Sequence, residues 1–168
     1  VQVSRGFLGD DAFVMYLGDN LIKHEVKELV DQYEAAGLDA LIQLKEVDDP
    51  RIFGVAELSA DGTVVSLEEK PENPKSSMAV VGVYLFNRKI HDAIEGLKPS
   101  ARGELEIAEA IQQLLSSGNS IGSNILTDWW LDTGKKDDML EANRVVLDEL
   151  PDKQDLSPDV QVGDSCRI

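Results

Sequence analysis

The chain has 168 residues, 42% of them hydrophobic, and a formal net charge of −16 from 32 acidic and 16 basic side chains. That is enough apolar mass for one domain with a real core, while acids spread along the chain, with Lys and Arg scattered among them, exclude the basic clusters that nucleic-acid binding needs. No run reaches the roughly 20 apolar residues of a membrane span, the opening VQVSRGFLGDD has no basic region followed by an apolar one, and the single Cys166 excludes an internal disulfide framework.

AFVMYLGDN (12–20) reads as a buried strand stopped by Gly-Asp-Asn. HEVKELVDQYEAAG (24–37) sets Val26, Leu29, Val30 and Tyr33 at helical spacing and stops at Gly37, and LDALIQLKEV (38–47) is strand again. Strand, helix, strand is the unit that builds a sheet flanked by helices. Over 53–71, two β-rich runs flank Ala60-Asp61-Gly62, a strong hairpin signal. SMAVVGVYLFN (77–87) is one more strand. Helices are predicted over 88–97 and 103–118, the second starting at Gly103-Glu104 with Ile107, Ala108, Ile111, Leu114 and Leu115 as its apolar stripe. Residues 120–132 are β-rich, and 135–150 form an amphipathic helix with Asp137 and Asp138 in its favoured first turn. After Pro151 the chain turns polar. Val160, Val162 and Ile168 fit either the first rung of a hexapeptide β-helix or an end without structure, so the expected division is 1–150 and 151–168.

Three places could carry chemistry. Asp19 follows a strand and opens a loop, where ligands and metals are held in α/β sheets; a turn cap is the plainer reading. Asp132 repeats the pattern before Thr133-Gly134, with an N-cap of the next helix as its plain reading. Brought together, the two carboxylates would be hard oxygen ligands suited to Mg²⁺, whereas two histidines and one cysteine make a zinc site a poor fit. In LEEKP (67–71), Glu69 and Lys70 would point to opposite faces of a regular strand. A twist ahead of Pro71 would bring both to one pocket, as a hydroxyl acceptor and a phosphate contact. Taken alone, an edge strand protected by charges explains them as well.

Taken in order, FVMYLGDN, DDPRIFGVAEL, VVSLEEKPENPKSSMAVVGVYLF, SARGELEIAEAI and WWLDTGKKDDMLEANRVVL resemble the sugar-1-phosphate nucleotidyltransferases, and most nearly the glucose-1-phosphate thymidylyltransferases, over residues 7–150. The resemblance implies an α/β fold, a Rossmann-like mixed sheet between helices, with the tail at 158–168 as the start of a left-handed β-helix. It implies transfer of a nucleotidyl group from dTTP or UTP to glucose-1-phosphate with release of pyrophosphate. By the same resemblance Asp19 and Asp132 hold Mg²⁺, Glu69 and Lys70 contact the sugar hydroxyls and phosphate, Gly54, Val80 and Tyr84 form the floor and wall of the sugar site, and Trp130 stands beside the metal aspartate. The family's opening loop, G-G-x-G-T-R-L, does not occur in this sequence, and neither does an initiator Met. The expectation is therefore an enzyme fragment, inactive alone, from a cytoplasmic homo-oligomer without nucleic-acid or membrane partners. A sugar-phosphate-binding or regulatory module without catalysis is the alternative. The evenly spread acids also suit a salt-loving source.

Overall fold

A computed structural model describes residues 1–149. They fall into two compact units, Val1–Trp130 and a second that begins at Leu131. The expected tail boundary at 150/151 and its β-helix rung lie outside the described residues.

The first unit is built on a six-stranded mixed sheet. Its centre is β6 (Met78–Phe86), preceded in the chain by β1 (Phe13–Tyr16), β2 (Asn20–Ile22), β3 (Ala40–Glu46), β4 (Gly54–Leu58) and β5 (Val64–Glu69), and followed by β7 (Ile121–Ile125). The order across the sheet is β5-β4-β6-β3-β7, with β1 also on β6. β3 and β7 run parallel, Ala40 opposite Ile121, and the other pairs are antiparallel. Side chains alternate across a strand, so β6 feeds two cores. Val80, Tyr84 and Phe86 pack with Ile90, Ala93 and Ile94 of α3 (Lys89–Glu95) and with Ala110, Ile111 and Leu114 of α4 (Ile107–Ser116). Val81, Val83 and Leu85 pack on the opposite face with Leu29 and Tyr33 of α2 (Val26–Ala36). Each Val, Leu, Ile or Phe among them contributes about 1.5–3 kcal/mol when fully buried. The sheet between helices is the predicted architecture, and among the described residues no helix is long and apolar enough to cross a membrane.

In the second unit Thr133-Gly134 leads into α5 (Lys136–Glu149), which carries Asp137 and Asp138 in its first turn as expected.

Three predicted elements have different limits. The run 12–20 breaks into β1 and β2 because the chain turns after Leu17, whose N–H still donates to the Gly82 carbonyl (2.8 Å) and whose carbonyl accepts from Asn20 N–H (3.1 Å). β1 alternates between half-buried and exposed and is not a fully buried strand. The helix expected from Gly103 begins at Ile107. Gly103, with φ +78°, and Ser100 close a local turn, in which the Ser100 carbonyl accepts from Gly103 N–H and the Ser100 hydroxyl accepts from Arg102 N–H. Such side-chain bonds compete with helix initiation. The β-rich run 120–132 is interrupted after β7, where the carbonyls of Thr127 and Asp128 turn to the Lys45 ammonium at 2.9 and 2.8 Å, and resumes as β8 (Trp130–Asp132).

Candidate active site

The β4–β5 hairpin sets the first group of side chains. Gly54 lies opposite Glu69, and the ladder extends one step further as Lys70 N–H donates to the Phe53 carbonyl at 2.9 Å. Lys70 then takes φ +44°, the left-handed region that side chains with a Cβ avoid. The turn undoes the strand alternation. Lys70 Nζ comes to 3.7 Å from Glu69 Oε1, so the cation and the acid share one face. Lys70 also borders an open cleft of about 430 Å³ with Asp49, Arg51, Ile52, Pro71 and Glu72.

Gly54 is a close-approach position. A Cβ there would stand 3.2 Å from Glu69 Oε2 and 3.6 Å from both Val80 and Ala108, so a side chain at this position would crowd the Glu69 carboxylate. Val80 and Tyr84, at 8% and 4% exposure, lie beneath in the core, with the Tyr84 ring stacked on Phe86. Burial, and after it the charge of Glu69, push the Tyr84 hydroxyl well above its usual range, so the group stays protonated.

Two further ionic groups join Glu69. Arg102 Nη1 donates to Glu69 Oε1 at 3.5 Å and Nη2 to Glu104 Oε2 at 2.7 Å, while Nε lies 3.8 Å from Glu106 Oε1. Glu106 is buried and accepts the Ser100 hydroxyl at 2.9 Å. Partial burial, then the Glu106 charge, raise the Glu69 carboxyl above the ordinary value, with Lys70 and Arg102 pulling the other way.

The second group surrounds Asn20, whose amide is buried at the start of β2. Its Nδ2 donates to Asp19 Oδ1 (2.9 Å), and its Oδ1 accepts from Gly82 N–H (3.0 Å) and from the Trp130 indole N–H (2.7 Å). A Cβ on Gly82 would fall 2.7 Å from that amide. The Trp130 ring packs 4.9 Å from Phe53, the neighbour of Gly54, so the two groups are joined through Trp130. Asp19 itself is exposed at the loop.

Asp132 stands in the second unit. It too is exposed, and its Oδ1 accepts the Gly134 N–H at 3.1 Å. That is a local turn ahead of α5, which starts at Lys136, so the N-cap reading does not describe it. Among the described residues no group of three or more His, Cys, Asp and Glu forms a cage. Asp19 and Asp132 belong to different units, and each by itself is an exposed hard oxygen donor of the kind that Mg²⁺ takes alongside its waters.

Asn20, Gly82, Arg102 and Glu106 are contributors that the sequence reading passed over. All four sit within quoted motifs, Arg102 directly before the helix start expected at Gly103-Glu104. Nothing in their spacing signals a buried amide or a buried acid.

The pattern defining the nucleotidyl transferase family matches residues 1–149. Over 148 residues the chain is 51% identical to a glucose-1-phosphate thymidylyltransferase of Streptomyces griseus, covering 88% of this chain and 42% of the relative. It is 49% identical to a low-salt glycan biosynthesis nucleotidyltransferase of Haloferax volcanii, covering 87% and 41%. Among solved structures, one described as a glucose-1-phosphate thymidylyltransferase from Bacillus anthracis in complex with a sucrose matches with a TM-score of 0.79 and 37% identity, over 91% of this chain and 61% of that one. The chain thus spans somewhat less than half the length of these two curated relatives.

Proposed function

The chain belongs to the nucleotidyl transferase family, and from that premise we propose that it forms the sugar-binding and metal-binding part of an enzyme that joins a nucleoside triphosphate, dTTP or UTP, to glucose-1-phosphate and releases pyrophosphate. The observation that carries this reading is the left-handed turn at Lys70, which sets a cation and a carboxylate side by side against a bare glycine. A sugar phosphate needs that combination: an ammonium for its anion and an acceptor for its hydroxyls.

In this reading Lys70 Nζ receives the sugar phosphate, and the Glu69 carboxylate beside Gly54 accepts a sugar hydroxyl. Val80 and the protonated Tyr84 support the floor. A phosphate oxygen of the sugar attacks the α-phosphorus of the nucleotide in line with departing pyrophosphate. The attacking group is already an anion, so the barrier lies in repulsion between anions and in alignment, which fixed cations reduce. Asp19 and Asp132 are the residues that would hold Mg²⁺, which when bound neutralises charge on the phosphates. Asn20 and Trp130 keep the Asp19 loop in place beside the sugar floor. The names of the relatives favour dTTP over UTP.

The test is Mg²⁺-dependent turnover of glucose-1-phosphate by the full-length protein with dTTP and with UTP. Asp132→Asn should remove nearly all activity without unfolding the protein, and an active variant would refute the metal role. The 168-residue chain, in which G-G-x-G-T-R-L does not occur, should form no detectable nucleotide sugar. Binding of glucose-1-phosphate without turnover by the full-length protein would favour a regulatory module instead.

A further inference from the structure

Glu106 lies outside every role assigned above, yet it is among the few charged side chains that the core accepts, at 7% exposure. Burying a carboxylate is costly unless partners compensate. Its polar contacts are modest: the Ser100 hydroxyl at 2.9 Å and the Arg102 guanidinium at 3.8 Å. Arg102 in turn reaches Glu69 with its other end, at 3.5 Å. Three acids therefore share one cation: Glu69, which faces the proposed sugar pocket, the buried Glu106, and the exposed Glu104, which is nearest to it at 2.7 Å. Ser100 closes the arrangement, because its hydroxyl donates to Glu106 while accepting the Arg102 N–H.

We propose that Glu106 is a positioning residue for Glu69: through Arg102, whose guanidinium both acids contact, it sets how the sugar-facing carboxylate is held as an acceptor and hence the pH range over which the pocket accepts a sugar hydroxyl. This rests on the sugar-site reading of Glu69. The titratable and charged groups facing Glu69 are Lys70 at the end of its own strand, Tyr84 on β6, and Arg102 and Glu106 ahead of α4; Gly54 on β4 and Ala108 on α4 bring none. Glu106 is the one acid in that set, and its charge works with burial to favour the protonated form of Glu69, against Lys70 and Arg102. A protonated Glu69 presents a donor or a weak acceptor where the sugar offers hydroxyls, so binding fails first on the acid side.

The experiment follows the Glu69 carboxyl carbon by NMR in the 168-residue chain across pH, alongside glucose-1-phosphate affinity by calorimetry. Glu106→Gln keeps the shape and the acceptor for Ser100 but removes the charge. Its expected result is a Glu69 titration midpoint moved to lower pH, with sugar-phosphate affinity several-fold above wild type on the acid flank and equal to it at pH 7. Arg102→Gln, at a side chain 40% exposed, removes the shared cation and should move the midpoint to higher pH. A Glu69 midpoint that is unmoved, or moved the wrong way in either variant, overturns the proposal. Should Glu106→Gln fail to fold, Ser100→Ala, which takes the hydroxyl from Glu106 and leaves the Arg102–Glu69 contact in place, decides the matter: a Glu69 midpoint unmoved there overturns the proposal. Midpoints that move as expected while glucose-1-phosphate does not bind would keep the coupling and refute the sugar site.

Discussion

Lys70 holds the only positive φ outside glycine among the described residues, and that conformation costs a side chain of its type about 1–2 kcal/mol. A packing role gives no reason to keep a lysine where glycine or asparagine would sit without strain. A binding role does, since the turn aims the ammonium at Glu69 and the open cleft. Lys70→Gly should therefore leave the unfolding free energy unchanged or raise it by up to about 1 kcal/mol, while glucose-1-phosphate affinity falls by about tenfold or more, as expected for a lost charge-assisted contact. Urea unfolding and titration calorimetry measure the two sides. Lower stability with intact affinity would mean that the residue serves the hairpin alone. At this scale the charged groups were legible in sequence because acids and lysines at strand ends are conspicuous. Asn20 and Glu106 were not. Their importance comes from burial, and burial at the first residue of a short strand, or one residue before a helix, depends on what packs above them.

Elements are tied together by side chains at their ends as much as by their apolar faces. Asp39, one residue before β3, accepts from the Lys89 ammonium and the Asn87 amide (both 2.8 Å) at the start of α3 and from the Ser120 N–H (3.0 Å) just before β7. Partial burial works against its ionisation, but the bonds from Lys89, Asn87 and Ser120 and the Lys89 charge outweigh it and bring the carboxyl from 3.8 to about 2. A carboxyl depressed in the fold adds stability above its unfolded value and loses it as pH falls through the folded one. Asp39→Asn should thus melt below the wild type at pH 7, with the difference shrinking under pH 4 and closing near pH 2. A difference that stays constant with pH would assign the effect to packing instead of charge. The same local bonding explains which element limits could be read from sequence. β3, β6 and the β4–β5 hairpin stand where apolar runs and Asp61-Gly62 placed them. α4 starts late and β7 stops early because Ser100 and Lys45 capture backbone groups that a periodic pattern assigns to helix and strand.

For the whole molecule the governing quantity is the surplus of negative charge. With 32 acids and 16 Lys and Arg, no more than half of the acids can have a basic partner of their own. The ion pairs on exposed side chains, such as Lys27–Asp31 and Arg144–Asp148, are individually worth about 0–1 kcal/mol. Repulsion among the unpaired acids acts over longer distances, through solvent, and salt screens it. Salt therefore has two opposed effects, weakening a few pairs and relieving many repulsions, and with this charge balance the second should win. The expected outcome is a melting temperature of the chain that rises with NaCl, with most of the rise between about 0.01 and 0.2 M, where the screening length falls from ~30 Å to below ~10 Å. That interval separates screening from preferential exclusion of salt, which strengthens apolar burial only at much higher concentration. Differential scanning calorimetry across the series decides between them. A flat profile to 0.2 M followed by a rise near 1 M would show that hydration of the apolar core, and not the surface acids, sets the response to salt.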